Sequence, residues 1–366
     1  MDMWICSEVA FKSGLWYSKA MEGIRKAAGR KGINLRETDE NAILGHAAAR
    51  LFGDEKRFLT IIGASDRLME RLIRACRAEK IHMLFLNYEP PVPSHDSSMV
   101  IMDYNDTMER IFSYLGANGR TRTALLGVNP DSASDRKKAN FMRAAGKESD
   151  IFYNDSGIRA CVDSFLAVKD SYDSIVYTND VFTLAASSML REAGVRIPEE
   201  LWAIGFSDTM LSPVFAGPLS PGISTFTVDY EELGRQCTEL WSYLSKNPTD
   251  VNAVVRVRAK FFRNASTEYR ELPEDRPSAE HGQDRLFNFY ADKTVSEVTD
   301  LENCLICCDD TDFRILDCLL KGESRVSIAL KLFISEGTLY YRLRRLCKLS
   351  GKSTVNELVE LLRKYL

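Results

Sequence analysis

The stretch DSIVYTNDVFTLAASSMLREAGVRIPEELWAIGFSD (173–208) decides the fold. It begins with a short apolar run (173–177), ends with another (201–205), and holds a helical stretch between them. Strands alternating with helices at this spacing predict a parallel α/β sheet. Working outward, strand-like runs recur at 3–10, 57–62 (RFLTII), 81–86 (IHMLFL), 99–102 and 123–128. Helical patterns fill 15–31, 68–79 and 105–115, and 89–98 (EPPVPSHDSS) is rich in turn formers. This many units predicts two sheets.

Ligands of open α/β sheets bind beyond the C-terminal ends of the strands, so polar residues just after apolar runs carry the interest. Asn87 follows LFL, Asp103 follows VIM, Asn179 and Asp180 follow IVYT, and Ser207-Asp208 follows AIGF. Any one alone reads as a turn former or helix cap. Four in the same topological place predict a shared polar cleft.

A different pattern occupies 323–347, ESRVSIALKLFISEGTLYYRLRRLC. Two short helical periods flank a break at Phe333-Ile334. Ser335 stands where an N-cap belongs, and Glu336 puts negative charge in the first turn. In the second helix Leu339, Leu343 and Leu346 share one face, while Tyr340, Tyr341, Arg342, Arg344 and Arg345 form the other. An apolar back, a front of Arg and Tyr, and a capped entry are what a major-groove recognition helix requires. The expected double-stranded DNA contacts are Ser335, Thr338, Leu339, Tyr340, Tyr341, Arg342, Arg344 and Arg345. The plain alternative is a solvated basic helix in an ordinary bundle.

The charge is divided to match. The chain of 366 residues has a formal net charge of −4, yet from Thr311 onward eleven Lys/Arg face six Asp/Glu. That segment is therefore +5 and residues 1–310 are −9. An acidic body with a basic terminal domain implies that only the latter meets nucleic acid. Between them, 268–309 includes EYRELPEDRPSAEHGQD, which is polar, acidic and Pro-containing and reads as a mobile linker, with LFNFY (286–290) able to dock or start a helix.

Residues 1–11 are apolar but short and lack a basic leader, and no apolar run reaches the length of a membrane span, so no membrane partner is expected. Nine irregularly spaced cysteines fit reduced thiols and a cytoplasmic protein better than a disulfide framework. Cys304, Cys307 and Cys308 have the spacing of a zinc or redox pair, but no second pair follows. Buried thiols are the expectation, with redox sensing a minor one. Gly351-Lys352-Ser353 resembles the end of a phosphate-binding loop, but Leu346 stands where the loop needs glycine. No catalytic set occurs in a convincing context; an enzyme is not expected, nor a metal or cofactor.

Two resemblances sharpen this. YTND (177–180), REAGVRIPEELWAIGFSD (191–208), SPGIST (220–225) and EELG (231–234) resemble the sensor domain of the lactose/galactose-repressor family. The likeness extends from Trp16-Tyr17 and VIMDYND (100–106) to FFRNAST (261–267). It implies a type I periplasmic-binding-protein-like fold with two Rossmann-like lobes (about 3–118 plus 226–250, and 119–225 plus 251–267). A small-molecule effector would lie in the cleft, and the protein would be a homodimer. The effector contacts it implies are Trp16, Tyr17, Asn87, Asp103, Arg136, Lys137, Asn179, Ser207 and Tyr230, with Asp180 either a contact or the cap of its helix. Asn87 and Ser207 stand where members of that family carry acids, so the pocket has lost anionic acceptors. The second resemblance, over 311–366, is to the LuxR-type helix-turn-helix domain, carried by FRIL (313–316), Ile328-Ala329 and LFISE (332–336). Gly337 and Tyr340 depart from that family's basic positions. Together they imply a one-component, ligand-responsive transcription regulator sensing a sugar-like metabolite. Alternatives are a transporter's solute-binding protein, or an interaction module whose pocket has degenerated.

Overall fold

The computed structural model describes residues 1–12, 14–45, 58–91, 96–206, 222–246, 251–268 and 292–366. Two six-stranded sheets form the α/β part. The first holds β1 (Asp2–Ser7), β2 (Asn34–Asp39), β3 (Phe58–Ile62), β4 (His82–Leu86), β5 (Ser97–Met102) and β11 (Val254–Val257), in the order β11-β5-β4-β3-β1-β2. The second holds β6 (Thr123–Val128), β7 (Ile151–Tyr153), β8 (Ser174–Tyr177), β9 (Trp202–Phe206), β10 (Ser224–Thr227) and β12 (Lys260–Phe262), in the order β12-β10-β9-β8-β6-β7. Strands β3, β4, β6 and β9 are buried along their whole length, as continuous apolar runs in a sheet covered on both faces must be.

Eight helices accompany the sheets among the described residues: α1 (Leu15–Lys31), α2 (Glu40–Leu44), α3 (Asp66–Ala78), α4 (Tyr104–Ala117), α5 (Ala133–Ala144), α6 (Ile158–Leu166), α7 (Asp180–Glu192) and α8 (Tyr230–Lys246). Helices α1 and α8 cross at glycines. A Cβ on Gly23 would lie 2.0 Å from the Glu231 carbonyl oxygen, and one on Gly234 would lie 1.9 Å from that of Ala20. Only backbone fits there.

Five further helices form an all-helical region: α9 (Lys293–Ile306), α10 (Asp310–Leu320), α11 (Arg325–Lys331), α12 (Glu336–Leu349) and α13 (Val355–Tyr365). The chain divides into two compact units. One comprises Met1–Asn118, Val128–Ile151 and Phe226–Phe261; the other comprises Gly119–Gly127, Phe152–Thr225 and Phe262–Leu366, and so includes the helical region.

Three boundaries differ from expectation. The first strand ends at Ser7 and yields to a turn of 3-10 helix at Val9–Phe11. Residues 254–257, expected with the second lobe, pair in parallel with β5 of the first sheet, Val254 opposite Met99. The segment read as linker contains α9, whose Val295, Val298, Leu301, Cys304 and Leu305 are buried at helical spacing. The 286–290 segment lies outside the described residues.

The helical region packs on α7 within the second unit. Helix α7 is buried almost all round, because one face covers its sheet while α9 and α13 cover the other. Polar bonds line this seam. The Ser188 hydroxyl and Arg191 Nη2 (3.3 Å) both donate to the Lys364 carbonyl. Asp292 caps α9 by accepting from Thr294 N (2.7 Å), and its other oxygen accepts from Ile158 N (3.4 Å). Glu302 of α9 is buried beside Asp180 of α7; burial first, and the neighbouring carboxylate second, raise its pKa well above the ordinary value.

Candidate functional site

In the first unit the first turns of α1 and α8 bring three expected ligand residues together. The Trp16 ring lies 6.2 Å from Tyr17, 6.2 Å from Tyr230 and 5.6 Å from Phe11. Tyr17 and Tyr230 are buried; Trp16 is half-buried and forms the accessible edge of the group. Tyr17 is held by a 3.0 Å hydrogen bond between its hydroxyl and Ser7 Oγ. Asn87 follows β4 with φ of +63° and accepts from the Tyr104 hydroxyl at 3.3 Å. Asp103 is the N-cap of α4, accepting from Asp106 N at 3.2 Å, so one oxygen serves the helix.

Arg136 and Lys137 are not open cations. Arg136 makes a bidentate pair with Asp66 (2.7 and 2.9 Å) and donates to the Glu89 carbonyl at 2.9 Å. Lys137 pairs with the Glu89 carboxylate at 2.9 Å. Both expected effector contacts thus already have carboxylate partners in the protein, and a ligand meeting them would have to share or displace those bonds. The reason lies in the loop after β3: Asp66 N bonds Asp131 O (3.0 Å) and Arg67 N bonds Asp131 Oδ1 (3.0 Å), which fixes the start of α5 beside Asp66.

In the second unit Asn179, not Asp180, caps α7, its Oδ1 accepting from Phe182 N at 2.8 Å. Asp180 is the first helical residue and is turned under α9. The alternative that Asp180 caps the helix is therefore corrected. Ser207 lies outside the described residues.

The helical region has the predicted turn geometry. Ser335 Oγ accepts from Thr338 N at 3.1 Å, and Phe333 takes the left-handed φ of +55° that reverses the chain between α11 and α12. Leu339, Leu343 and Leu346 are buried. Leu339, 2% exposed, thus belongs to the core and cannot reach a ligand, because its spacing places it with the other leucines. Ser335, Thr338, Tyr340, Tyr341 and Arg344 are exposed. Arg342 and Arg345 point elsewhere. Arg342 Nη1 bonds both Asp309 oxygens (3.0 and 2.9 Å) and Asp312 Oδ1 (2.7 Å), and Arg345 Nη2 bonds Asp312 Oδ2 and the Cys307 carbonyl (3.1 Å). Asp309 and Asp312 form the capping box of α10, so both arginines clamp α12 onto that helix start. The hydrogen bond from Arg342 holds the Asp309 carboxyl below its usual range.

With this geometry in hand, comparison with known proteins places both parts. Residues 112–267 match the sequence model of the periplasmic-binding-protein-like domain. The two-sheet α/β fold is that of such a domain. Two solved structures share its fold: the transcriptional regulator CelR in complex with cellobiose (TM-score 0.58, 17% identity, covering 72% of this chain and 84% of that one), and the dimeric lac repressor (TM-score 0.57, 18% identity, 73% and 98%). Similar sequences include the HTH-type transcriptional repressor PurR of Photobacterium profundum, 21% identical over 238 residues, covering 62% of this chain and 69% of that protein. The PurR of Aliivibrio fischeri is 20% identical over 219 residues, covering 56% of this chain and 64% of that protein. Residues 309–349 match a winged helix-turn-helix DNA-binding model. The LuxR type implied by the turn sequence is thus not the one matched; a capped, hydrophobic turn is shared among helix-turn-helix classes and does not separate them.

The periplasmic-binding-protein-like domain also holds polar groups that the sequence reading passed over. Glu8, buried after β1, accepts from Ala64 N (3.0 Å), Ser65 N (3.2 Å) and Ser65 Oγ. It was hidden inside an overlong strand. Asn154, just past β7, is fully buried, and neither atom of its amide has a hydrogen-bond partner among the described residues, as where water or ligand completes the pairing. Its signal was lost because the three-residue strand before it is too short to stand out. Among the cysteines, Cys304 is buried and Cys308 half-buried, but Cys307 is exposed, at the C-cap of α9.

Proposed function

We propose that the chain is a one-component transcription regulator: its periplasmic-binding-protein-like domain senses a small, sugar-like molecule, and its helix-turn-helix region binds double-stranded DNA, as a homodimer in the cytoplasm. The observation that carries this reading is α7. Its N-terminus holds Asn179 just past the C-terminal end of β8, and its body is the surface on which α9 and α13 dock. One helix therefore touches both the sensing end and the output region. A molecule that moves the N-terminus of α7 acts on the docked helices through the Ser188, Arg191 and Glu302 contacts. Trp16, backed by the buried Tyr17 and Tyr230, supplies a flat apolar face suited to a sugar ring, and Asn87 an amide for its hydroxyls. The CelR neighbour, complexed with cellobiose, supports a sugar. No catalysis is assigned.

The test is a thermal-shift screen of the full chain against sugars, polyols, sugar phosphates and nucleosides, followed by selection of genomic DNA with and without the hit. A ligand at 100 times its Kd stabilises by about 2.7 kcal/mol, a clear rise in Tm. Selection of no DNA under any condition overturns the reading.

A further inference from the structure

Beside α12 lies an open groove of about 590 Å³ on the helical region, lined by Arg325, Arg344, Lys348 and Lys352 together with Tyr340 and Thr354. Its cations come from three places: Arg325 is the first residue of α11, Arg344 and Lys348 sit one turn apart on α12, and Lys352 is in the turn before α13. We propose that this groove seats the sugar-phosphate backbone of a DNA duplex and is the principal electrostatic anchor of the helical region. The inference rests on the DNA-binding reading above and adds the residues and the class of contact.

The argument is one of sorting. Eleven Lys and Arg follow Thr311. Six are held by acceptors of the protein: Lys321 by Asp317, Lys331 by Glu323, Arg342 and Arg345 by the α10 capping box, Arg363 by the Leu320 carbonyl and Lys364 by Glu297. Of the five others, none of which makes an ion pair or hydrogen bond through its side chain among the described residues, four line this one groove and Arg314 is the fifth. Lys352 does lie in the field of Asp300 and Glu297, which screens it in part.

The attraction does not come from the start of α13. Glu357 already accepts from Ser353 N (2.8 Å) and Thr354 N (3.1 Å), so that helix end is closed by its own capping box. What remains is a cluster of two lysine point charges, Lys348 and Lys352, and two arginines, Arg325 and Arg344, with no internal carboxylate bonded to them among the described residues. That suits a phosphate chain read for charge and not for sequence. Tyr340 belongs both to the groove wall and to the exposed front of α12, so a backbone held here brings the base edges alongside that front.

The experiment is a salt series of duplex binding by the full chain, followed by anisotropy with a labelled 30-base-pair duplex of random sequence. Neutralising each phosphate contributes about 0.9 to the slope of log K against log salt. Lys348→Ala/Lys352→Ala should lower that slope by about two and Arg325→Ala by about one, with Tm unchanged and the same proportional loss on any sequence. Arg314→Ala, the cation outside the groove, should leave the slope intact. A wild-type slope retained in the double variant, or an equal loss in Arg314→Ala, overturns the groove while the DNA-binding reading stands. Wild-type protein with no salt-dependent binding to duplex overturns both.

Discussion

Arg342 Nη1 lies 2.7 Å from Oδ1 of Asp312, a carboxylate with no exposed surface. An arginine that looks outward in sequence is therefore a clamp between α12 and the start of α10. Arg342→Ala leaves a buried charge with only Arg345 as side-chain partner, and should destabilise the helical region by about 3 kcal/mol, the lower end for breaking a buried pair. Chemical denaturation monitored by far-UV circular dichroism measures this. In the salt series the variant, where folded, should keep the wild-type slope.

Tyr340 and Tyr341 are 61% and 71% exposed on α12. Replacing either with Ala should leave Tm within a degree, since each side chain is mostly exposed. Discrimination between the selected operator and random DNA should fall by about 1–3 kcal/mol per lost base contact. Arg344→Ala should lower the salt slope by about one unit. Competition binding with both duplexes reads these changes; undiminished discrimination in the Tyr340→Ala/Tyr341→Ala variant moves base readout to another surface.

Glu302 gives docking a pH dependence. Its pKa is raised in the docked state, first by burial and then by Asp180, above the ordinary value of 4.5. Below that value the group is protonated docked or undocked, and docking is unaffected. As pH rises, the undocked form ionises first, so docking weakens by up to about 1.4 kcal/mol per pH unit until the docked pKa is passed. Within the helical region Glu297 of α9 behaves the other way: despite burial, bonds from Lys364 and Tyr365 of α13 lower its pKa, so its contribution to joining those two helices fades only in acid. Hydrogen exchange of α9 and α13 between pH 5 and 8 should show protection falling with pH, and Glu302→Gln should flatten that trend.

Gly234→Ala should cost about 1–3 kcal/mol through overpacking where α8 meets α1, and lower the Tm of the α/β part. Gly29→Ala, at a position where an added Cβ meets nothing within 4 Å, is the control and should be neutral or slightly stabilising.

Burial on both faces is what made β3, β4, β6 and β9 legible, because each then reads as an unbroken apolar run. Strand β2 (NLRETD) was invisible: it is an exposed edge, and its pairing with β1 comes from backbone groups that carry no side-chain signal. The leucine face of α12 and the Ser335 cap were local and therefore readable. The roles of Arg342 and Arg345 were not, because Asp309 and Asp312 lie some thirty residues upstream and only the folded bundle brings them near. Helix α7 did carry a clue in VFTLAASSML, apolar or small all round, which signals a helix covered on two sides. Which element covers it is a tertiary fact.

Strand β11 also sets an order of events at the ribosome. The first sheet cannot acquire its edge until Val254–Val257 has been synthesised to pair with β5, and α9 begins 36 residues past Val257. At roughly 5–20 residues per second that interval is about 2–7 s. The nascent chain can thus finish both sheets before the C-terminal helices emerge, and α7 is waiting as their template. The helices therefore meet their docking surface as soon as they are made.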